Sequence, residues 1–174
     1  MAKLRKMMGS LEDPSVKGLM DLIETQSKET LAKWAVDCAE KDFIGIYEKE
    51  YVGDDRLRHV AAAVKEVLEG TKKLKDIKPL LREAAQIAKE TEAPAAQAAA
   101  RAAAVACAVL QTPTNALGFT FYGAAAVVYD KAGLEEKQEV YDAMASAELK
   151  RLLESLEKAA IKEEPNPVKI KWNC

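Results

Sequence analysis

Ala93-Pro-Ala-Ala-Gln-Ala-Ala-Ala-Arg-Ala-Ala-Ala-Val-Ala-Cys-Ala108 decides the fold: eleven of these sixteen residues are alanine. From Ala102 to Tyr129 the chain then carries no charge. Alanine has the highest intrinsic helix propensity and almost no side chain to order. A long, uncharged, alanine-rich helix can be buried on most of its surface while other helices press close against it. The stretch therefore predicts an all-α protein with small residues at its centre. Gln111-Thr-Pro-Thr-Asn115 divides the uncharged run into two pieces, which predicts a buried helical hairpin and not a membrane span, because alanine and glycine contribute little hydrophobicity.

Outward from this hairpin, no segment alternates apolar and polar residues as a half-buried strand would, until the last few positions. Helix signals are dense. Asp13-Pro14 reads as an N-cap followed by a first helical residue, and opens a short helix to about Thr25. Ser27 caps a longer helix, with Leu31, Trp34, Ala35, Cys38, Ala39 and Ile46 as its apolar stripe and Gly53 as its stop. Asp54 or Asp55 caps a third helix that ends at Gly70. Asp76 and Pro79 mark the first turn of a fourth helix, running to about Glu90. Pro94 opens the alanine helix, and Thr112-Pro113 opens the next, which Gly133 closes. A last helix covers about Leu134 to Ile161, with Val140, Met144, Leu149, Leu152, Leu153 and Leu156 buried. The expectation is a single-domain bundle of about seven helices over 1–164, built around the Ala-rich hairpin, with a tail over 165–174 anchored by Trp172 or loose.

Composition narrows the function classes. The 174 residues are 49% hydrophobic and 31% charged, with a formal net charge of −2. That is ordinary for a soluble globular domain, and offers no basic excess for phosphate backbones, so nucleic acid is not expected as a partner. The lysines at 72, 73, 75 and 78 read as a solvated face. Cys38, Cys107 and Cys174 form no CxxC pair, and no secretory leader precedes Met20, which points to reduced thiols in a cytoplasm. Cys174 is an exposed, oxidisable thiol on this reading.

Chemistry is sparse. His59 is the only histidine, so a catalytic Cys38–His59 pair is conceivable, but a buried cysteine acting as a small hydrophobe is the plainer reading. One histidine with scattered cysteines does not supply a structural zinc site, and the common glycine-rich phosphate loops are absent. Neither a metal nor a cofactor is expected. Gly118 and Gly123 inside a helix read as packing positions. The carboxylates are more informative: helical projection puts Asp42 near the middle of the apolar stripe, where it needs a partner. Asp37, Glu40, Asp54, Asp55, Arg56 and Arg101 form a candidate polar cluster or partner contact. Within it, Arg101 is expected to reach across to Asp37 or Asp55.

Leu31-Ala-Lys-Trp-Ala-Val-Asp-Cys-Ala-Glu40, Gly53-Asp-Asp-Arg56, Ala98-Ala-Ala-Arg-Ala-Ala-Ala104 and Thr112-Pro-Thr-Asn-Ala-Leu-Gly118 together resemble a bacterial family of immunity proteins, the immunity-protein-five-like group. The resemblance covers about 31–133, and its Trp-Ala-x-Asp-Cys-Ala-Glu block is the most specific element. It implies an all-helical, non-catalytic domain that binds and masks a protein toxin. Family members tend to carry histidines where this chain has Val105, Gln111 and Asn115, and a proline where it has Leu57. A metal or polar site built on those histidines would be lost here. Two other readings stay open: a small ligand- or metal-binding domain or enzyme using the carboxylate–arginine cluster, and an oligomerisation module built on the Ala98–Ala104 face.

Overall fold

The computed structural model describes residues 3–173, so the reading of Cys174 as an exposed thiol lies outside the described residues. Helices α1 (Pro14–Ile23), α2 (Lys28–Cys38), α3 (Ile44–Glu50), α4 (Arg56–Leu68), α5 (Leu74–Glu90), α6 (Pro94–Cys107), α7 (Asn115–Ala132) and α8 (Gln138–Ala159) account for the regular structure. A π turn over Ala39–Phe43 joins α2 to α3 without a break, so the eight α segments make seven rods and no strand is present among the described residues. The all-α expectation holds.

Alanine content places α6 in the middle. Eight of its alanines are below a tenth exposed, and they cover the rod on every side but one. A helix apolar on every side belongs in a core. Here α6 touches α2, the π turn, α3, α4, α5 and α7, while α7 touches α1, α2, the π turn, α3, α6 and α8. The hairpin is thus the hub and the other rods form its wall. One stripe of α6 stays partly open to solvent: Gln97, Arg101, Val105 and Ala108, spaced as one helix face requires.

An aromatic layer fills the space between α7 and the long rod that α2, the π turn and α3 form. Trp34 meets Phe119 edge-on at 4.8 Å, and Phe43 leans on the same ring at 6.1 Å. Phe43 fits because residue 123 is glycine: a Cβ there would lie 2.4 Å from Phe43 Cζ. Gly118 does not share this reason, since a Cβ at that position would meet only Val105 Cγ1 at 3.6 Å, an ordinary contact.

Capping explains most helix boundaries. Asp13 accepts from the Ser15 N–H at 2.8 Å, and the Ser27 hydroxyl accepts from the Thr30 N–H at 3.2 Å. The α5 helix starts before the expected turn, at Leu74, because Asp76 accepts from the Lys73 N–H at 3.1 Å. Pro79 then lies inside the helix, where its face is exposed and water can replace the lost backbone bond. Thr112-Pro113 belongs to a turn, and the α7 helix begins two residues later at Asn115. In α8 the buried register includes Tyr141, with Val140 at 37% exposed. The Tyr141 hydroxyl donates to the Gly133 carbonyl at 2.8 Å and accepts from the Glu136 N–H at 3.1 Å, closing the turn between α7 and α8. An aromatic ring with a satisfied polar tip outweighs a valine for the inner position.

The first and last segments of the described residues are both pinned. Met8, 1% exposed, donates its N–H to the Phe121 carbonyl at 3.0 Å. After α8, Gln26 acts as a clamp: its side-chain amide donates to the Ile161 carbonyl at 3.1 Å and accepts from the Ile161 N–H at 2.8 Å, and its backbone carbonyl accepts from the Val168 N–H at 2.8 Å. The tail then runs extended, with Val168, Ile170 and Trp172 packed on the core and the residues between them exposed. Trp172 Nε1 donates to Glu24 at 3.0 Å, so of the two expected tails the anchored one is observed.

Glu164 ties this tail to the start of α2. Its carboxylate accepts from the Ser27 N–H at 3.0 Å and the Thr30 hydroxyl at 2.7 Å. Partial burial opposes ionisation, but these donors outweigh it and hold the pKa below its ordinary 4.5. A lowered carboxyl pKa gives stability that is complete above pH 4.5 and disappears as pH falls through the folded value. Acidification well below pH 4.5 is therefore expected to free the tail before the bundle melts. In a Trp34→Phe background this appears as a red shift of Trp172 fluorescence, and Glu164→Gln moves part of that shift to neutral pH. A separate pair of substitutions tests the aromatic layer by urea titration. Gly123→Ala should cost about 1–3 kcal/mol through overpacking. Gly118→Ala should leave stability unchanged or raise it by up to about 1 kcal/mol.

Candidate functional site

The acids singled out in the sequence lie along one ridge where the long rod meets α4. Asp37, on the last turn of α2, bonds Lys33 Nζ at 2.9 Å and lies 3.6 Å from Lys65 Nζ of α4. Lys65 also bonds Glu40, so one ammonium joins both carboxylates. The bond to Glu40, more than offsetting partial burial, raises the Lys65 pKa and keeps the amine charged.

The π turn places Glu40. In an α turn the Ile44 N–H would bond the Glu40 carbonyl; here it reaches back to Ala39. The Glu40 carbonyl instead accepts from Arg58 Nη1 at 3.2 Å. The same guanidinium grips Glu48 through Nη2 at 2.8 Å and Nε at 3.1 Å. Arg58 is thus a splint across the π turn, α3 and α4.

At the head of α4, Asp54 accepts from Arg56 Nε at 2.9 Å, Arg56 Nη2 at 2.8 Å and the Tyr47 hydroxyl at 2.6 Å. The Arg56 guanidinium, first among these, holds the Asp54 carboxyl far below the usual carboxylate range. Burial, and then the bond to Asp54, push the Tyr47 phenol up to about 12. Asp55 contacts only His59, one turn on, at 3.4 Å, with both side chains about two-thirds exposed. This histidine is not a partner of Cys38. Burial, reinforced by Asp42, pushes the Cys38 thiol up to about 12, and burial does the same to Cys107. Both thiols are protonated near neutrality and pack as small hydrophobes.

Arg101 departs from the expectation. It forms no ion pair or hydrogen bond with any described residue, and its Nε is buried without a partner. The reason is its angular position: Arg101 is on the open stripe of α6, whereas Asp37 and Asp55 belong to the long-rod and α4 wall. The proposed cluster therefore divides. Asp37 and Glu40 share Lys65, Asp54 and Arg56 pair, Asp55 meets His59, and Arg101 stands apart.

Asp42 has its partner in Arg151 of α8, Nη2 to carboxylate 3.0 Å. The same guanidinium bonds Glu148, 6% exposed, one turn earlier. That bond, outweighing desolvation, raises the Arg151 pKa. Ser155 extends the seam, accepting from Trp34 Nε1 at 2.9 Å. Sequence reading missed Arg151, Glu148, Arg58 and Lys65. The i, i+3 spacing of Glu148 and Arg151 was the available sign, and it is common on exposed helices.

A groove of about 460 Å³ opens elsewhere, between α5, α6 and the turn into α7. Leu81, Ala85 and Ala104 form its apolar floor, and Val105, Gln111 and Asn115 line it together. The three positions where the resemblance led to an expectation of histidine are thus neighbours in space, whereas Leu57 is not among the lining residues. Among the described residues no three His, Cys, Asp or Glu side chains converge as metal ligands, and no helix is long and apolar enough to cross a membrane.

The Arg151 seam is testable by chemical denaturation. Arg151→Met leaves Glu148 buried without its cation and is expected to cost about 2 kcal/mol. Lys49→Met, which removes the more exposed pair with Asp130, should cost under about 1 kcal/mol.

No curated protein and no solved structure matches the chain. The family described as Imm-5 like putative immunity protein matches residues 21–159, a span that runs from α1 to the end of α8 and contains the whole ridge, the Arg151 seam and the hairpin. The chain belongs to this Imm-5-like immunity family.

Proposed function

We propose that this protein binds a partner toxin and masks it sterically, without catalysing a reaction. The observation that carries this reading is the family match over residues 21–159. The ridge supports it physically. Its charges are already paired within the fold, at Asp37–Lys65, Glu40–Lys65, Glu48–Arg58 and Asp54–Arg56. Such a surface presents alternating signs in fixed positions, which gives register and encounter rate more than raw affinity. Side chains that are already ordered lose little entropy on docking. A standard interface takes about 800 Å² from each partner, under a tenth of the 9204 Å² exposed here, and the ridge offers a rigid site for it.

Co-expression with the products of neighbouring genes in the native host tests the reading. A stoichiometric complex with one of them, and loss of that protein's toxicity, is the expected result. Arg58→Glu combined with Lys65→Glu should slow association about tenfold while circular dichroism stays helical. Toxicity that persists in the presence of excess folded protein would overturn the proposal.

A further inference from the structure

The unpartnered Arg101 does not stand alone. Only two buried side-chain nitrogens or oxygens among the described residues lack a hydrogen-bond partner, Arg5 Nε and Arg101 Nε. Both arginines line the same small cavity, about 160 Å³, beneath the N-terminal segment and beside the first turns of α6. Buried donors are nearly always satisfied, and two orphans on residues that line one cavity point to a missing acceptor.

The cavity is built for negative charge. Lys6 is a third cation in its wall, and none of its lining residues is acidic. Arg5 gives Nη2 to Asp142 at 2.8 Å, which steadies the guanidinium and leaves Nε unused. Tyr129 fixes the backbone at the same residue: its hydroxyl accepts from the Arg5 N–H at 2.6 Å and donates to the Arg5 carbonyl at 3.0 Å. Gln97 spends its amide N–H on the Thr91 carbonyl at 2.8 Å, which holds the side chain in the wall. Among the described residues Arg101 makes no hydrogen bond or ion pair, so its guanidinium keeps a fork for two oxygens of one ligand. The surrounding alanines bring no competing acceptor.

We propose that this cavity binds a small oxyanion, held by the Arg101 fork and Arg5 Nε with Lys6 closing the charge. Phosphate and carboxylate groups share the required geometry, two oxygens on one atom, and the experiment separates them. The inference does not rest on toxin binding, and either can fail without the other.

The test is a titration of the intact chain, labelled with ¹⁵N, with sodium phosphate and, separately, sodium acetate, against sodium chloride at matched ionic strength. Saturable shifts of the Nε–Hε signals of both Arg5 and Arg101 with phosphate or acetate, absent with chloride, are expected. Phosphate alone identifies a phosphoryl ligand, and acetate alone a carboxylate. Arg101→Met should weaken binding about tenfold or more. Because that variant could also disturb the hub helix, Lys6→Ala on the exposed rim serves as a second, and should weaken binding with the melting temperature unchanged. Neither anion saturating the two signals would mean that water fills the cavity, and that result would overturn the proposal. Unaltered affinity in either variant would also overturn it.

Discussion

The close approach of α6 and α7 is the constraint on which the rest of the molecule depends. Alanines at nearly every position of α6 keep that rod slim, so six other segments reach it at once. Methyl-sized contacts contribute little apolar area each. The larger contribution comes from what the slim hub permits: Trp34, Phe43 and Phe119 meet in one layer over α7. Gly123 is the point of closest fit, because the Phe43 ring occupies the space a methyl would need.

A hub with almost no charge, Arg101 and the last turn of α7 excepted, moves the electrostatics to the wall. The long rod carries Asp37, Glu40, Asp42 and Glu48, while α4 and α8 supply the cations that meet them. Each cation works across elements: Lys65 joins two acids, Arg58 splints the π turn to α3, and Arg151 joins α8 to the long rod. Pairs this exposed add modest stability one by one. Their fixed spacing matters more for the surface they present. Arg101 breaks the pattern as the one cation on α6, and it lines a cavity together with Arg5.

Family membership and the paired surface charges both support the proposed masking role. The ridge is ordered before any partner arrives, the described thiols are held protonated by burial, and His59 sits in solvent beside Asp55. The groove lined by Val105, Gln111 and Asn115 lies on the same open stripe of α6 as the oxyanion cavity, but further along it. The two depressions therefore share one helix face and differ in chemistry, one apolar-floored and the other cationic.

Local chemistry was legible in the sequence. Alanine's propensity, the caps at Asp13 and Ser27 and the stop at Gly133 act within a few residues, so the rods, the central hairpin and the all-α class followed from the chain alone. The need of Asp42 for a partner was also legible, because helical projection shows which side a carboxylate faces. Its identity was not: Arg151 lies 109 residues away, and only the docking of α8 brings it within 3.0 Å. The same limit misplaced Arg101. Its isolation among alanines was visible, but the rotation of α6 about its own axis, set by six packing neighbours, turned it from the acids toward the N-terminal segment. Propensity and capping are short-range and can be read along the chain, whereas the azimuth of a helix apolar on all sides is set by its neighbours, so tertiary packing alone decided which charges meet.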